Sequence, residues 1–293
     1  MKLINFSIAL IIFTSCVSEV DVQLPHNERI VTLNCILQPD NDTIIAHLAY
    51  SRQLLLIENF EDCKDAEVKL FEGSKFLGYF EKSDSIAWYL PYRVIPGKNY
   101  KIEVIVNEKK VWAETRVPVN FEAGFTAIKD YAESFDYIIS ITRNPSEESV
   151  YWISAKGFSW YNGKPFYDIA PAIYSDCSFA DDFNRLVEQG YGYMYIYEYY
   201  IRLIGEEVPT DTISVQFHPA GIHIIDGSQE VFVLSVDYHL DKYMKSSILL
   251  EEIDMYAEDV PIVYAPFPMY TNINGGTGIF GSYNSISKKF NGK

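Results

Sequence analysis

Cysteine, basic charge and long apolar runs are all scarce in this chain, and each shortage closes off a class of protein. Among 293 residues there are four cysteines, none in a C-x-x-C pair, so zinc-ribbon and dithiol redox chemistry have no ligand pattern to start from. Lys and Arg number 24 against 40 Asp and Glu, a formal net charge of −16. That balance repels phosphate backbones and anionic head groups, which argues against nucleic acid as a partner. No apolar run approaches the ~20 residues of a membrane-crossing helix. H-E-x-x-H, EF-hand and G-x-S-x-G patterns are missing too, so no motif supplies a metal, a cofactor or a catalytic residue. No fixed-period repeat is visible.

What is present begins with an export signature. Met1 to Ser15 carries one positive charge at Lys2, an apolar run from Ile8 to Phe13 and the small pair Thr14-Ser15 before Cys16, the layout of a secretory signal. Thr14-Ser15-Cys16 resembles the bacterial lipobox, although Phe13 stands where Leu is usual. The resemblance implies that Cys16 is diacylated and that residues 16–27 form a tether. Acyl chains, at about 0.8 kcal/mol per buried methylene, hold a protein at a membrane without a span. The expectation is therefore an exported, lipid-anchored protein of the outer membrane or cell surface. An exported chain admits a Cys35–Cys63 disulfide, and the odd set completed by Cys177 cannot all pair internally.

The body, 48% hydrophobic and rich in Tyr (23) and Phe (18), can bury a core, and its patterning is mainly β. From 28 to 118, short alternating runs broken by turns predict an immunoglobulin-like β-sandwich. The expected strands are Arg29–Leu37, Ile44–Tyr50, Ala66–Phe71, Ser85–Leu90, Tyr100–Val106 and Lys110–Val117, with Tyr100, Ile102, Val104 and Val106 sharing one face. Pro118 marks the expected boundary. Residues 119–293 read as an antiparallel β domain, sandwich or barrel, with strands at Tyr137–Thr142, Val150–Phe158, Tyr191–Ile204, Thr212–Phe217, Ile222–Ile225 and Val231–Val236. One short helix, Val236–Ser246, is expected with Ser235 as N-cap and Leu240, Tyr243, Met244 and Ser247 at helical spacing. The acidic stretch 249–262 reads as an exposed loop.

Near the C-terminus, Gly276, Gly278 and Gly281 fit G-x-G-x-x-G, but the chain runs only to Lys293, short of the helix and acidic residue a dinucleotide site requires. The better reading is a structural turn at Asn274, Gly275 and Gly276, leading into a short strand through Ile279 and Phe280 that closes the C-terminal domain. Tyr191, Tyr193, Tyr195, Tyr197 and Tyr199 alternate and on a regular strand share a face. Such a row suits stacking on sugar rings, and suits core packing as well. His218, His223 and His239 have no metal-ligand spacing. Asp181-Asp182 and Glu206-Glu207 would serve a glycosidase only if folding brought two carboxylates to a suitable separation.

Ala66-Glu67-Val68-Lys69-Leu70, the run Gly97 to Tyr100 and Ala113-Glu114-Thr115-Arg116-Val117-Pro118 resemble the N-terminal half of a Bacteroidota lipoprotein family, domain of unknown function 4249. Asn272-Ile273-Asn274-Gly275-Gly276-Thr277-Gly278-Ile279-Phe280-Gly281 is similar to its closing signature, with Thr277 where Leu is more usual, and Cys16 fits its lipidated start. The resemblance carries over no catalytic residue. It implies a non-enzymatic accessory of TonB-dependent nutrient uptake, with a TonB-dependent receptor as partner. The alternatives are a surface glycan-binding lipoprotein using the tyrosine row, and an unrecognised hydrolase. Exposure of the tyrosines favours the first alternative, and a cleft with convergent acids or histidines the second.

Overall fold

The computed structural model describes residues 29–51, 61–131, 134–142, 148–161, 163–181, 185–186, 195–208, 210–223, 229–256 and 269–291. The first half folds as β1 (Val31–Leu37), β2 (Ile44–Tyr50), β3 (Glu61–Asp62), β4 (Glu67–Glu72), β5 (Lys75–Tyr79), β6 (Glu81–Lys82), β7 (Ala87–Leu90), β8 (Asn99–Val106) and β9 (Lys109–Arg116). Period-two alternation does most of the sorting. In β8, Tyr100, Ile102, Val104 and Val106 are buried while Lys101, Glu103 and Ile105 turn outward, and each such burial stabilises the fold by about 1.5–3 kcal/mol. A four-stranded sheet, ordered β5-β4-β8-β9, encloses a core with β1, β2 and β7. β5 escapes the sequence pattern because none of its residues is fully buried, Leu77 packing only partly against that core.

The second half supplies β10 (Glu122–Tyr131), β11 (Ser134–Thr142), β12 (Val150–Tyr161), β13 (Lys164–Ile169), β14 (Ala172–Ser175), β15 (Arg185–Leu186), β16 (Tyr195–Glu198), β17 (Ile201–Ile204), β18 (Thr212–Ala220), β19 (Gln229–Val236), α1 (Tyr238–Tyr256) and β20 (Thr277–Phe290). A six-stranded sheet, β10-β11-β18-β14-β16-β15, packs over β12, β17 and β19 around a second core. Among the described residues the fold is mainly β and sandwich-like, with one α-helix and no sheet closed into a barrel. The two halves share a ten-stranded sheet whose main path runs β13-β12-β19-β20-β1-β2-β7-β6. α1 lies on this sheet's outer face, against Trp152 and Val236, through Leu240 and Ile248.

Several expectations change at this level. The helix is longer than Val236–Ser246, since Leu249, Leu250, Glu251 and Glu252 are strong helix formers and carry it to Tyr256. Its cap is Asp237 rather than Ser235, with Asp237 Oδ1 accepting from Leu240 N at 2.9 Å. The acidic stretch is thus helical up to residue 256, and 257–262 lies outside the described residues. Tyr191–Ile204 is not one strand. Tyr199 takes a positive φ of 57° and Tyr200 N closes on Glu198 O at 2.6 Å, so the chain steps from the six-stranded sheet in β16 to the ten-stranded sheet in β17. Of Ile222–Ile225, only His223 makes a bridge, to Phe158, and residues 224–228 lie outside the described set.

The closing stretch departs most. Ile279 and Phe280 do not pair within the C-terminal half: Thr277–Ser282 runs parallel to β1, and Tyr283–Phe290 then runs antiparallel to β19. Ile273 and Phe280 sit in the first core, beside side chains from 31 to 117. The second core starts with Phe121, whose ring meets Tyr151 at 5.6 Å. The chain therefore passes between cores around Pro118, but residues 273–282, expected in the C-terminal unit, complete the N-terminal one. The turn itself is present, with Gly275 at φ 78°. Gly276 has an ordinary φ and is there for space: a Cβ on it would lie 2.6 Å from Val31 O. Asn274 exchanges backbone hydrogen bonds with Trp112 at 3.1 and 2.8 Å, extending the β9 edge. Gly276, Gly278 and Gly281 lead into a strand and not a helix, so no dinucleotide cradle forms.

Candidate binding cleft beside the helix

The first turns of α1, the end of β17 and residues 269–270 surround a cleft of about 660 Å3, within the range of small-molecule sites. Its walls are apolar and aromatic, from Val150, Ile204, Leu249, Met269, Tyr238 and Tyr270. β-strand alternation and helical spacing both contribute, since Tyr238, Asp241, Lys242, Lys245 and Leu249 recur on one flank of α1. Tyr270 is held at both ends. Its N–H donates to Ser246 Oγ at 3.0 Å, its hydroxyl meets His239 Nδ1 at 2.7 Å, and its ring stacks on that imidazole. Burial, together with the neighbouring Tyr238, pushes the Tyr270 phenol above its ordinary pKa. Lys242 arches over Tyr238, its Nζ 4.4 Å from the ring centroid and 5.9 Å from that of Tyr270.

The floor is a buried ionic knot. Arg202 Nε and Nη2 donate to the two carboxylate oxygens of Asp241 at 2.7 and 2.8 Å, and Nη1 donates to Asp181. Trp152 Nε1 donates to Asp241 Oδ1 at 2.9 Å, and Lys245 lies 3.5 Å from Asp181. Burial opposes the guanidinium's charge, yet the hydrogen bonds and charges of Asp241 and Asp181 outweigh it and raise its pKa. Bidentate geometry of this kind fixes orientation as well as charge. Removing one partner of such a buried pair costs on the order of 3–5 kcal/mol.

Sequence reasoning named few of these residues. Arg202 had a signal, being a lone arginine between Ile201 and Leu203, both fully buried. A basic residue in such a strand needs a buried carboxylate. Asp241 falls on the expected helix, but its meeting with Arg202, like the return of residues 269–270, is a tertiary outcome.

The residues singled out by sequence are dispersed. Cys16, Tyr191 and Tyr193 lie outside the described residues. Tyr195 begins β16, Tyr197 is buried in the second core, and Tyr199 is half-buried at the turn. Tyr197 and Tyr199 thus do not form one continuous exposed row, since the left-handed backbone at Tyr199 ends the alternation. Asn274, Gly275 and Gly276 lie against β9 and β1, away from the cleft. Asp181 is committed to Arg202, Asp182 is outside the described set, Glu206 lines the cleft, and Glu207 ends the short 3-10 turn Gly205–Glu207. His218 Nδ1 meets Asp136 at 2.9 Å, far along the chain from His239. Cys35, Cys63 and Cys177 are buried free thiols, so the Cys35–Cys63 disulfide is not formed. Burial and the Asp62 charge push the Cys63 thiol up to about 11. Among the described residues no three of His, Cys, Asp and Glu converge on a metal-sized site, and no helix is long and apolar enough to cross a membrane.

Comparison with known proteins adds a family but no activity. No curated protein matches the chain. Among solved structures, chitinase ChiA74 from Bacillus thuringiensis aligns at 11% identity and a TM-score of 0.18, over 68% of this chain and 28% of that one. The structure titled manganese lipoxygenase of Gaeumannomyces graminis and partial zonadhesin of Komagataella pastoris aligns at 10% identity and a TM-score of 0.18, over 73% and 91%. At those scores neither likeness bears on fold or function. The family model described as Domain of unknown function (DUF4249) matches residues 17–289, a span that takes in both cores, the cleft and the closing strand, and the chain belongs to that family.

Proposed function

We propose that this protein is an outer-membrane or surface lipoprotein, anchored through Cys16, that works by binding rather than turnover as an accessory of TonB-dependent nutrient uptake. The cleft beside α1 is where it would hold a small nutrient. The observation that carries the binding reading is the state of the cleft's buried charges. Asp241 and Arg202 neutralise each other in a two-pronged pair, and Ser246 spends its hydroxyl on Tyr243 O and Tyr270 N. General acid–base or nucleophilic catalysis requires a group of suitable pKa aimed at the reacting atom. Groups locked on one another shape and polarise a cavity instead.

The test is a pull-down of the tagged chain from native outer membranes, with copurified proteins and bound small molecules identified together, alongside a Cys16→Ser form. The expected result is a TonB-dependent receptor in the wild-type eluate and loss of membrane association and fatty-acid label in the variant. A wild type that takes up no labelled fatty acid, or a variant that stays with membranes after a salt wash, overturns the anchor. An eluate without a receptor overturns the accessory role.

A further inference from the structure

α1 covers only part of the outer face of the ten-stranded sheet. Tyr238, Lys242 and Lys245 look into the cleft, whereas Tyr243, Met244 and Ser247 come round on the opposite flank, as 3.6 residues per turn require. On that second flank no described residue covers the sheet, and a groove of about 390 Å3 opens over β12, β19 and β20. Its floor is aromatic: the Tyr200 ring meets Trp152 and Phe232 edge-on at 5.4 and 6.3 Å, and Tyr283 closes the end.

Register sets what lies between the rings. Lys156 is opposite Glu230, Glu230 opposite Lys289, and Phe232 opposite Ser287. Directly paired residues share a face, so ammonium, carboxylate and hydroxyl groups interleave with aromatic rings at the ~4.8 Å spacing of strands. Lys156 also lies over the Phe232 ring, with Nζ 5.1 Å from its centroid. The same face runs on into the β12–β13 hairpin through Phe158 and Trp160, which oppose Tyr167 and Pro165. There Trp160 is 54% and Tyr167 43% exposed, and the Phe158 and Tyr167 rings meet at 5.3 Å.

We propose that this groove and its aromatic hairpin form a saccharide-binding site. Pyranose rings present apolar C–H faces that stack on aromatic rings, and hydroxyls around their edges that need both donors and acceptors. Trp160, Tyr167 and Phe158 supply the stacking surface, while Glu230, Lys156, Lys289 and Ser287 supply the hydrogen bonds. Other occupants fit less well. The centre of a protein–protein interface is depleted in charge, whereas here charged groups lie among the rings. Polyanions meet the field of a chain whose formal charge is −16. The site is separate from the cleft and does not depend on a receptor partner.

The experiment is affinity electrophoresis of the full chain carrying Cys16→Ser through gels containing starch, galactomannan, xyloglucan or mannan, with Trp fluorescence as a second readout. At least one neutral polysaccharide should retard the protein. The Trp160→Ala, Tyr167→Ala double variant should bind it at least ten-fold more weakly with an unchanged thermal transition, because both side chains are exposed. Tyr238→Ala, on the other flank of α1, should bind normally. No retardation by any of the four, undiminished binding by the double variant, or loss confined to Tyr238→Ala overturns the proposal. A copurifying receptor without saccharide binding would sink this site and leave the accessory role standing, and saccharide binding without a receptor would do the reverse.

Discussion

The side chain of Asn272 stands in for a strand at Phe280: its Nδ2 donates to Phe280 O at 2.8 Å and its Oδ1 accepts from Phe280 N at 3.0 Å. A carboxamide offers a donor and an acceptor side by side in a single plane, as a peptide group does. It pins the start of β20 while Phe280 enters the first core. At about 0.5–1.5 kcal/mol for each bond, Asn272→Ala should destabilise the protein by about 1–3 kcal/mol. Urea unfolding monitored by Trp fluorescence reads this. An unchanged midpoint would show that water replaces the pair.

Gly278 should prove the least replaceable glycine of the closing stretch. It holds φ 108°, and a Cβ there would lie 2.7 Å from Asn34 Oδ1 and closer still to Leu33 O. Gly73 also has positive φ, at 57°, but nothing within 4 Å of a Cβ. Backbone strain alone costs about 1–3 kcal/mol, so Gly73→Ala measures that cost and Gly278→Ala adds the clash with β1. Thermal unfolding of the two variants should rank Gly278→Ala well below Gly73→Ala, and equal losses would refute the close approach.

Asp237 makes stability depend on pH. Burial raises its pKa above the ordinary carboxylate range, against the lowering effect of hydrogen bonds from Thr115, Leu240 N and Ser282 N. For an acid whose folded pKa exceeds its unfolded one, the native state holds the proton more tightly. The stabilisation is therefore complete below the unfolded value of ~3.9 and is lost as pH rises through the raised value. Asp237→Asn keeps the acceptor for Leu240 N and Ser282 N and carries no charge. Compared with wild type, its unfolding free energy should fall less from pH 4 to pH 8, by about 1.4 kcal/mol for each tenfold change in proton affinity. Parallel pH profiles would show that Asp237 titrates alike in both states.

The three buried thiols should be silent in the native protein. With Cys16→Ser in place, a thiol reagent should label none of Cys35, Cys63 and Cys177 at neutral pH and all three after unfolding in urea without reductant. A single labelled thiol in the unfolded chain would mean that Cys35 and Cys63 are joined.

Strands that face one core were legible because alternation reports burial directly: Ile44–Tyr50 was bounded to the residue, and Tyr100–Val106 missed only Asn99. β13 was not, since an edge strand with Pro165 and exposed rings on both faces has no alternation to read. The tyrosine row misled for the opposite reason. Its spacing continued through Tyr199, but the two sheets each needed a strand, and the change of sheet was made by a residue with no sequence mark of a turn. In the candidate site, Tyr238 and Lys242 could be placed on a helix, whereas their meeting with Arg202 and Tyr270 depends on sheet order. The asparagines and glycines of the closing stretch lie against β1 and β9. Their partners, in β1 and β9, lie too far back in the chain for any local pattern to reveal.

The parallel pairing of β1 with β20 sets a clock on folding. Asn34 Oδ1 accepts from Ile279 N across 245 residues of sequence, and closing so long a loop is slow even though its entropy grows only with the logarithm of length. A chain made from its N-terminus exposes β1 long before it supplies Ile279 and Phe280, so the first sandwich stands with an open edge and an unfilled core until β20 follows. Until then the nascent chain is most in need of protection from strand-to-strand aggregation. Clipping the final strand would for the same reason unmake the oldest part of the molecule, not the newest.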